Sequence, residues 1–243
     1  MEVESYAIYC VVLCLSHLVQ GITGFGAIVL ALPVLTFFFP LKTLIPALIV
    51  VNLIQTTWLV ATERKHIHSR HARTIVLLSL VGLPFGYAVY RFLPSDQLKI
   101  GLGMFVVIVA TWNLSGFTSK RQAPLPLYYL LNLMGGFVQG AIASGGPFMV
   151  IYAARMLKDK SAFRATLSVV WTVLNVILCC TYTATQTWSS DMLPLIGLAL
   201  PCMALGTALG MALHQRIPEK PFRTLVFSIL LVSGLVLLRP LVS

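Results

Sequence analysis

The sequence predicts an all-α polytopic membrane protein with two inverted repeats, each made of a broken or re-entrant helix hairpin and three transmembrane helices. Three observations predict this fold class. Hydrophobic residues make up 58% of the 243 and charged residues only 10%, whereas about 25% of the residues in a soluble domain are charged. Apolar runs of about 20 residues, the length that crosses a bilayer, recur along the chain. Two glycine-rich breaks, each after the tripeptide Val-Gln-Gly, lie 119 positions apart.

Two regions, 5–39 and 125–157, are apolar but interrupted by glycines. Each is predicted to have two arms, and arms of about 11–15 residues reach roughly 16–23 Å at 1.5 Å per residue. A hydrocarbon core is about 30 Å thick, so each region is either one interrupted crossing or a hairpin that enters and leaves on the same side. The predicted arms are Ser5–Val19 and Ala27–Phe39 in the first region, and Leu125–Gln139 and Pro147–Leu157 in the second. Six other runs are predicted to be complete spans: 43–62, 72–93, 98–117, 163–184, 191–213 and 222–239.

The distribution of basic residues favours the hairpins. If both interrupted regions cross the membrane, Lys and Arg divide 10 to 7 between its sides, whereas two hairpins place 13 on one side and 4 on the other. Cytoplasmic loops carry the excess of positive charge, so the first side is predicted to be cytoplasmic and both termini to lie on the outer side of the inner membrane. The thirteen are Arg64, Lys65, Arg70, Arg73, Lys120, Arg121, Arg155, Lys158, Lys160, Arg164, Arg216, Lys220 and Arg223, and the four are Lys42, Arg91, Lys99 and Arg239.

Three spans after each hairpin would invert the second half relative to the first. The first repeat is predicted to cover 1–117 and the second 125–243, joined by a cytoplasmic linker at 118–124 within one membrane domain. The stretch "HLVQGITGFGA" of the first half is similar to "GFVQGAIASGG" of the second. Inverted repeats whose broken helices meet near the midplane are typical of secondary transporters. Four glycines in later spans are expected to serve close helix packing instead: Gly82, Gly86, Gly206 and Gly210.

The two breaks are predicted to form an anion site. Helices that begin at Ala27 and Pro147 would point their N-termini into the membrane interior, where free N–H groups and the helix dipole attract an anion. Glycine allows tight turns and a close approach to a ligand, and the flanking polar side chains can donate hydrogen bonds to an oxyanion. The predicted substrate-binding residues are Gln20, Thr23, Gly24, Gly26, Gln139, Ser144, Gly145, Gly146 and Asn175.

Several of these polar residues have two interpretations. The hydroxyls of Thr23 and Ser144 either bind the substrate or satisfy backbone groups that the break frees. Three further residues, His17, Asn52 and Arg164, are candidates for a gate or a proton relay. His17 either takes up a proton when an anion binds or is a hydrogen-bonded core histidine, and Asn52 either faces the cavity or bonds a neighbouring helix. Arg164 either anchors lipid headgroups or gathers anions at the cytoplasmic mouth.

Other function classes are disfavoured. All seven acidic residues lie at run ends or in loops, so a central carboxylate relay for protons or sodium is not expected. An anion can still leave, because the inside-negative potential favours its exit by about 2.3 kcal/mol per charge per 100 mV. Paired catalytic groups at workable spacing are missing, so no enzyme is expected. The histidines of "HIHSRH" (66–71) sit among arginine and lysine, which repel a divalent cation, so neither a metal nor a cofactor is expected. Nucleic acid is not an expected partner, because no extramembrane element could read it.

In and after the two breaks, the chain resembles the TauE/SafE family of membrane transporters, described as sulfite or organosulfonate exporters. The resemblance rests on "LPVL" (Leu32–Leu35) after the first break, "SGGP" (Ser144–Pro147) and "FRATL" (Phe163–Leu167), and spans nearly the whole chain. The first break has fewer glycines than is usual in the family. The resemblance implies export of sulfite, sulfoacetate or related sulfur-containing anions, whereas the residues alone point only to a small anion. The alternatives are a transporter or channel for another small anion and a non-transporting membrane subunit; a homodimer stays open.

Overall fold

The computed structural model describes residues 2–115, 124–214 and 219–238. Within these ranges the chain forms ten α-helices and one short 3-10 helix, Arg64–His66, and no strand. The predicted linker 118–124, apart from Pro124, lies outside the described residues, as do Lys120, Arg121, Arg216 and Arg239. The helices are α1 (Glu2–Thr23), α2 (Ala27–Leu35), α3 (Leu41–Glu63), α4 (Ser69–Phe92), α5 (Ser95–Leu114), α6 (Leu125–Ile142), α7 (Gly146–Met156), α8 (Lys160–Ala184), α9 (Met192–Leu213) and α10 (Glu219–Leu238).

Within the part of the chain that the structure describes, seven helices are long and apolar enough to cross a membrane, namely α1, α3, α4, α5, α6, α8 and α9. They agree with the predicted multi-pass membrane protein. They also include both first arms, so the prediction that these arms are too short to cross is wrong: α1 has 22 residues and α6 has 18. Both helices continue past the predicted arm ends at Val19 and Gln139. They include Gly21 and Gly140, which lie close against the backbones of α9 and α4. The second arms are short, with 9 residues in α2 and 11 in α7.

Both interrupted regions double back on themselves. The ring centroid of Phe39, which follows α2, lies 5.6 Å from that of Tyr6 and 5.4 Å from that of Tyr9, both early in α1. In the second region, the guanidinium of Arg155 in the last turn of α7 lies over the ring of Tyr128 in the first turn of α6, 5.5 Å from its centroid. The start of each first arm therefore meets the end of its second arm, and the turn between them lies at the far end.

Matching glycine contacts interlock the two halves. Glycines of α9 face the backbone of α1, and glycines of α4 face the backbone of α6, so closely that an added Cβ would overlap the facing helix. Leu18 of α1 lies against both α9 glycines, and Phe137 of α6, 119 positions later, lies against both α4 glycines. The predicted packing role of these glycines is confirmed. They are Gly206 and Gly210 in α9, and Gly82 and Gly86 in α4.

Basic side chains gather at one end of the helix bundle, called the basic end below. Arg164, early in α8, pairs there with Glu63 at the end of α3. Tyr152 of α7 lies 3.1 Å from the ring of His71 in the first turn of α4, so the end of α7 reaches the same level. Described basic residues at this end are Arg64, Lys65, Arg70, Arg73, Arg155, Lys158, Lys160 and Arg164, whereas the opposite end has Lys42, Arg91 and Lys99.

Candidate functional site

The turns between the arms differ in their backbone. Gly24 (φ 83°) and Gly26 (φ 104°) have positive φ in the first turn, a conformation that glycine adopts without strain. In the second turn the residue with positive φ is Ala143 (φ 52°). Gly145 has an ordinary φ of −65°, but an added Cβ there would overlap the carbonyl of Gly135 in α6. The first turn thus needs glycine for conformation, and the second needs it for space.

The hydroxyls at the two breaks bond to their own turns. Thr23 Oγ1 lies 2.9 Å from the carbonyl oxygen of Val19 and 2.8 Å from that of Phe25, and it is 3.3 Å from Phe25 N. Ser144 Oγ donates to the carbonyl of Ile142 at 3.0 Å. In this structure both hydroxyls satisfy backbone groups that the break frees, which is one of the two roles left open by the sequence.

A glutamine from the first arm caps each returning helix. Ala27 N donates to Gln20 Oε1 at 3.0 Å, and Gly145 N donates to Gln139 Oε1 at 3.2 Å. Both glutamines are buried. The two capped N–H groups are therefore not available to a ligand, whereas the next N–H groups of each first helical turn have no intrahelical acceptor.

Four buried amide side chains connect the two caps, and we call them the amide chain. Gln139 Nε2 donates to Asn175 Oδ1 at 3.2 Å. Asn175 Nδ2 donates to Asn52 Oδ1 at 2.8 Å, and Asn52 Nδ2 donates to Gln20 Oε1 at 2.9 Å. The structure thus brings together four of the residues singled out in the sequence, two from each half, on α1, α3, α6 and α8.

The amide chain ends in a group without a partner. Gln20 Oε1 accepts from both Ala27 and Asn52, whereas Gln20 Nε2 has no hydrogen-bond partner among the described residues. At the other end of the chain, Gln139 Nε2 is used by Asn175. A primary amide nitrogen has two N–H donors, so Gln20 presents unused donors although its side chain is only 2% exposed.

A small cavity lies beside the amide chain. It has a volume of about 20 Å³, and its lining includes Gln20, Asn52, Gln139, Gly146 and Trp171. A water molecule needs about 10–15 Å³ measured in this way, so the cavity has room for about one water. Residues of both breaks and three members of the amide chain line this cavity.

A larger cavity, called the vestibule below, lies next to it. Its volume is about 500 Å³, and it extends from Thr23 and Pro147 at the breaks to Lys158 and Lys160 at the basic end. Gly26 lines both cavities, and a Cβ added at this glycine would meet open space. The two cavities therefore adjoin at a position where a ligand can approach the backbone.

His17 lies outside the amide chain and forms a separate buried cluster. Its side chain is 1% exposed, and its Nδ1 lies 2.6 Å from Gln55 Oε1. Gln55 Nε2 donates to the carbonyl of His17 at 3.1 Å and to Thr207 Oγ1 at 2.8 Å. Because Gln55 Oε1 can only accept, His17 Nδ1 carries the proton in this arrangement.

Arg164 attaches the first break to the basic end. Its Nε donates to Glu63 Oε2 at 2.9 Å, a second nitrogen pairs with Glu63 Oε1, and Nη1 donates to the carbonyl of Gly21 at 2.6 Å. An added Cβ on Gly24 would overlap the backbone of Arg164. The guanidinium is buried, and Glu63 balances its charge. Its other contact is to the first hairpin, and Arg164 does not line the vestibule.

Two residues at the site were not singled out from the sequence. Trp171 Nε1 donates to the carbonyl of Gly24 at 2.9 Å and lines the small cavity. His214 Nδ1 lies 2.5 Å from the carbonyl of Ile22, and its side chain lines the vestibule. Burial lowers the pKa of His214, and the hydrogen bond to the carbonyl of Ile22 opposes this shift only in part. His214 is a polar residue at the end of an apolar run and Trp171 is an aromatic residue inside one. Both are weak sequence signals, and only the fold brings them to the first break.

One of the comparisons with known proteins identifies a family. A family model described as "Sulfite exporter TauE/SafE" matches residues 9–237, nearly the whole chain. No curated protein and no solved structure matches the chain. The matched range contains both breaks, the amide chain and the lining of both cavities.

Proposed function

Because the chain belongs to the sulfite exporter TauE/SafE family, we propose that it is a secondary transporter or facilitator that exports small sulfur-containing anions across the inner membrane. Sulfite, sulfoacetate and other organosulfonates are the proposed substrates. They pass through a site between two inverted repeats. The alternative within the same mechanism is another small oxyanion, because the site's chemistry recognises charge and hydrogen-bond acceptors rather than sulfur.

The proposed architecture is a pair of inverted repeats, 1–117 and 125–243, each beginning with a re-entrant hairpin. The glutamine caps and the packing glycines support it, because they recur at corresponding positions of the two halves. The opposite directions of the hairpins support it as well. Tyr9 early in α1 donates to the carbonyl of Leu195 early in α9, and Ile22 late in α1 meets His214 after α9. The first hairpin thus opens away from the basic end, while Arg155 and Tyr128 close the second at that end.

The amide chain is the observation that carries the proposal. It links the two breaks through neutral donors and leaves the N–H groups of Gln20 Nε2 unused beside the small cavity. An oxyanion accepts hydrogen bonds and donates none, so unused donors that face a cavity suit it. The first-turn N–H groups of α2 add the positive end of a helix dipole.

Neutral hydrogen-bond donors also allow the bound anion to be released from the site. A buried lysine or arginine would hold an anion in a low-dielectric site, whereas amide dipoles bind it without an opposite full charge. Among the residues whose side chains are described, the one buried arginine near the first break is Arg164, and it is already paired with Glu63. Once bound, the anion is driven outward by the membrane potential, at about 2.3 kcal/mol per charge per 100 mV. This step requires the basic end to be cytoplasmic, as the positive-inside rule predicts.

The small cavity is too narrow for a sulfite ion in this conformation. Phe25 and Trp171 are the side chains nearest to Gly146 at the junction of the two breaks. We propose that these rings separate the vestibule from the amide chain until the substrate enters. In this conformation the proposed transport pathway is then open towards the basic end and closed on the other side of the amide chain.

Sulfite efflux from proteoliposomes tests the proposal, with voltage and pH gradients imposed separately. We expect voltage-driven efflux, reduced at least tenfold by Gln20→Glu. This change keeps an oxygen for Ala27 and Asn52 but replaces the unused donor with a second oxygen that repels the anion. Gln186→Glu is the matched control, because Gln186 is exposed in the loop before α9.

Two results would count against the proposal. If the unmodified protein moves no sulfite or sulfonate, the proposed function is wrong. If efflux does not depend on voltage and stops without a proton gradient, the anion does not cross alone. His17 is then the first residue to test as a proton carrier.

A further inference from the structure

Four aromatic side chains pack together at the end of the helix bundle opposite the basic end, and we call them the aromatic cluster. They are Tyr87 and Tyr90 near the end of α4, Tyr182 near the end of α8, and Trp188 in the loop before α9. The ring of Tyr182 lies at the centre. Its centroid is 5.7 Å from that of Tyr87, 5.5 Å from that of Tyr90 and 5.8 Å from that of Trp188. The Tyr90 hydroxyl donates to the carbonyl of Lys42 in the first turn of α3 at 3.0 Å, so the cluster joins the ends of α4 and α8 to the start of α3.

The centre of the aromatic cluster is buried inside the protein. Tyrosine and tryptophan are common at both membrane–water interfaces, where their rings lie at the level of the lipid headgroups. Tyr182 is 0% exposed and Tyr90 is 2% exposed, so neither ring faces lipid. An anchoring role at the membrane surface therefore does not explain these two tyrosines.

The hydroxyl of Tyr182 has no hydrogen-bond partner among the described residues. The other two tyrosines of the cluster differ, because Tyr90 donates to Lys42 and the hydroxyl of Tyr87 lies 2.6 Å from Thr185 Oγ1. A buried tyrosine hydroxyl usually finds a partner, and leaving one unpaired is unfavourable. Tyr182 thus keeps a hydrogen-bond donor that this conformation does not use.

Tyr182 lies on the side of the amide chain that faces away from the basic end. It follows Asn175 by seven residues, about two turns along the same face of α8, which places it about 10 Å further along the helix. Leu178 lies between them on this face, and all three side chains are 0% exposed. An anion that leaves the amide chain in this direction therefore passes Leu178 and then reaches the ring of Tyr182.

We propose that Tyr182 is the gate residue on the side opposite the basic end. This inference rests on the proposed function and extends it to the exit step. While the rings are packed, Tyr182 blocks the path beyond the amide chain. When the cluster opens, the hydrogen bond between Tyr90 and Lys42 breaks, the ring of Tyr182 moves aside, and its hydroxyl donates to the departing oxyanion. The hydroxyl carries no full positive charge, so it can receive the anion without holding it.

Tyr182→Phe tests the role of the hydroxyl, because it keeps the ring and removes only the unpaired group. The melting temperature should not fall and should rise by about 2 °C, whereas voltage-driven sulfite efflux should fall about tenfold. A role in packing alone would not lower efflux in a variant that is at least as stable. Tyr152→Phe is the matched control: Tyr152 is also a buried tyrosine, but its hydroxyl lies 3.1 Å from His71 Nδ1 at the basic end. It should lower the melting temperature and leave efflux unchanged.

The reactivity of Leu178→Cys tests the role of the rings without transport. In a protein whose native cysteines are replaced by alanine, a membrane-impermeant thiol reagent is applied from the side opposite the basic end, and it should modify this cysteine slowly. Trp188→Ala removes the ring that packs on Tyr182 from the loop, and local opening should then speed the modification at least about tenfold. Trp112→Ala, at an exposed tryptophan of α5 outside the aromatic cluster, should leave the rate unchanged. If Leu178→Cys does not fold, Leu174→Cys, one turn earlier in α8, takes its place.

Two outcomes would overturn the inference. Normal efflux in Tyr182→Phe would show that the hydroxyl does not meet the anion. An unchanged modification rate of Leu178→Cys after Trp188→Ala would show that the aromatic cluster is not the barrier on this side. A protein that moves no sulfite, but in which Trp188→Ala speeds the modification, contradicts the proposed function and supports the gate, so the two failures are distinguishable.

Discussion

Asn175 Nδ2 donates a hydrogen bond to Oδ1 of Asn52 at 2.8 Å, and this bond joins the middle of α8 to the middle of α3. Both side chains are buried, and each is linked in turn to the glutamine that caps the returning helix of its own half. The pair is therefore the point where the two halves of the candidate site meet. Hydrogen bonds between helices in a membrane contribute about 0.6 kcal/mol on average, so the pair orients donors more than it holds the fold together.

Asn175→Leu is expected to disconnect the two caps. It removes the donor to Asn52 and the acceptor of Gln139, and it leaves a buried oxygen and a buried N–H group unpaired. We expect the free energy of unfolding to fall by about 1–2 kcal/mol, and sulfite efflux to fall at least fivefold. Denaturation in detergent and efflux from proteoliposomes measure the two effects.

Thr181→Val is the control for Asn175→Leu on the same helix. Thr181 Oγ1 donates only to the carbonyl of Ile177, one turn earlier in α8, so its loss should leave efflux unchanged. Normal efflux in Asn175→Leu would show that the amide chain has no part in transport.

Gly145 and Gly146 are neighbours, but they differ in the space available for a side chain. Gly145→Ala would place a Cβ in the carbonyl of Gly135, whereas a Cβ on Gly146 would make ordinary contacts of 3.7–3.9 Å with Phe25 and Trp171. We therefore expect Gly145→Ala to lower the free energy of unfolding by about 1–3 kcal/mol and Gly146→Ala to change it by less than about 0.5 kcal/mol. Melting temperatures of the two variants, measured side by side, check this difference. Equal stability would mean that α6 and α7 pack less closely than described.

Sequence reasoning singled out four residues that meet in the structure, but it did not assign their contacts. Gln20, Gln139, Asn52 and Asn175 stand out because polar side chains are rare in apolar runs, and the structure joins all four. The direction of each bond could not be predicted: the glutamine oxygens cap α2 and α7, a role that depends on the turn geometry. The helix ends were misplaced because glycine was taken as a helix breaker, whereas Gly21 continues α1 through its close contact with α9.

The contacts of Arg164 could not be predicted from the sequence either. Its partner Glu63 lies 101 positions earlier, and nothing local to either residue indicates that they meet. The sequence left two roles open for this arginine, anchoring lipid headgroups or gathering anions at the cytoplasmic mouth. The fold pairs it with the last residue of α3, so we first test its contribution to stability.

Glu63→Gln is expected to leave the guanidinium of Arg164 buried without a counter-charge. Breaking one partner of a buried pair costs about 3–5 kcal/mol, and the nearby end of the bundle gives some access to water, so we expect a loss of about 2–3 kcal/mol. The double variant Glu63→Met with Arg164→Met should lose less than the sum of Glu63→Met alone and Arg164→Met alone. Chemical denaturation of these three variants measures the coupling. Additive losses would show that the pair contributes nothing as a pair, and Asp96→Asn, at an exposed acid in α5, controls for the loss of a carboxylate.

We expect His214 to make the attachment of the first hairpin dependent on pH. Its Nδ1–H donates to the carbonyl of Ile22, and burial holds its pKa below the ordinary 6.5, so the folded protein favours the neutral ring. As the pH falls below about 6.5, the unfolded chain takes up a proton before the folded one does, and stability is lost. At higher pH both states are neutral and the contribution is complete. His214→Asn supplies an amide donor near the position of Nδ1 without titrating, so its melting temperature should depend less on pH between about 7 and 5. His66→Asn, at an exposed histidine of the loop before α4, should keep the pH dependence of the unmodified protein, and an unchanged pH profile in His214→Asn would assign that dependence to other groups.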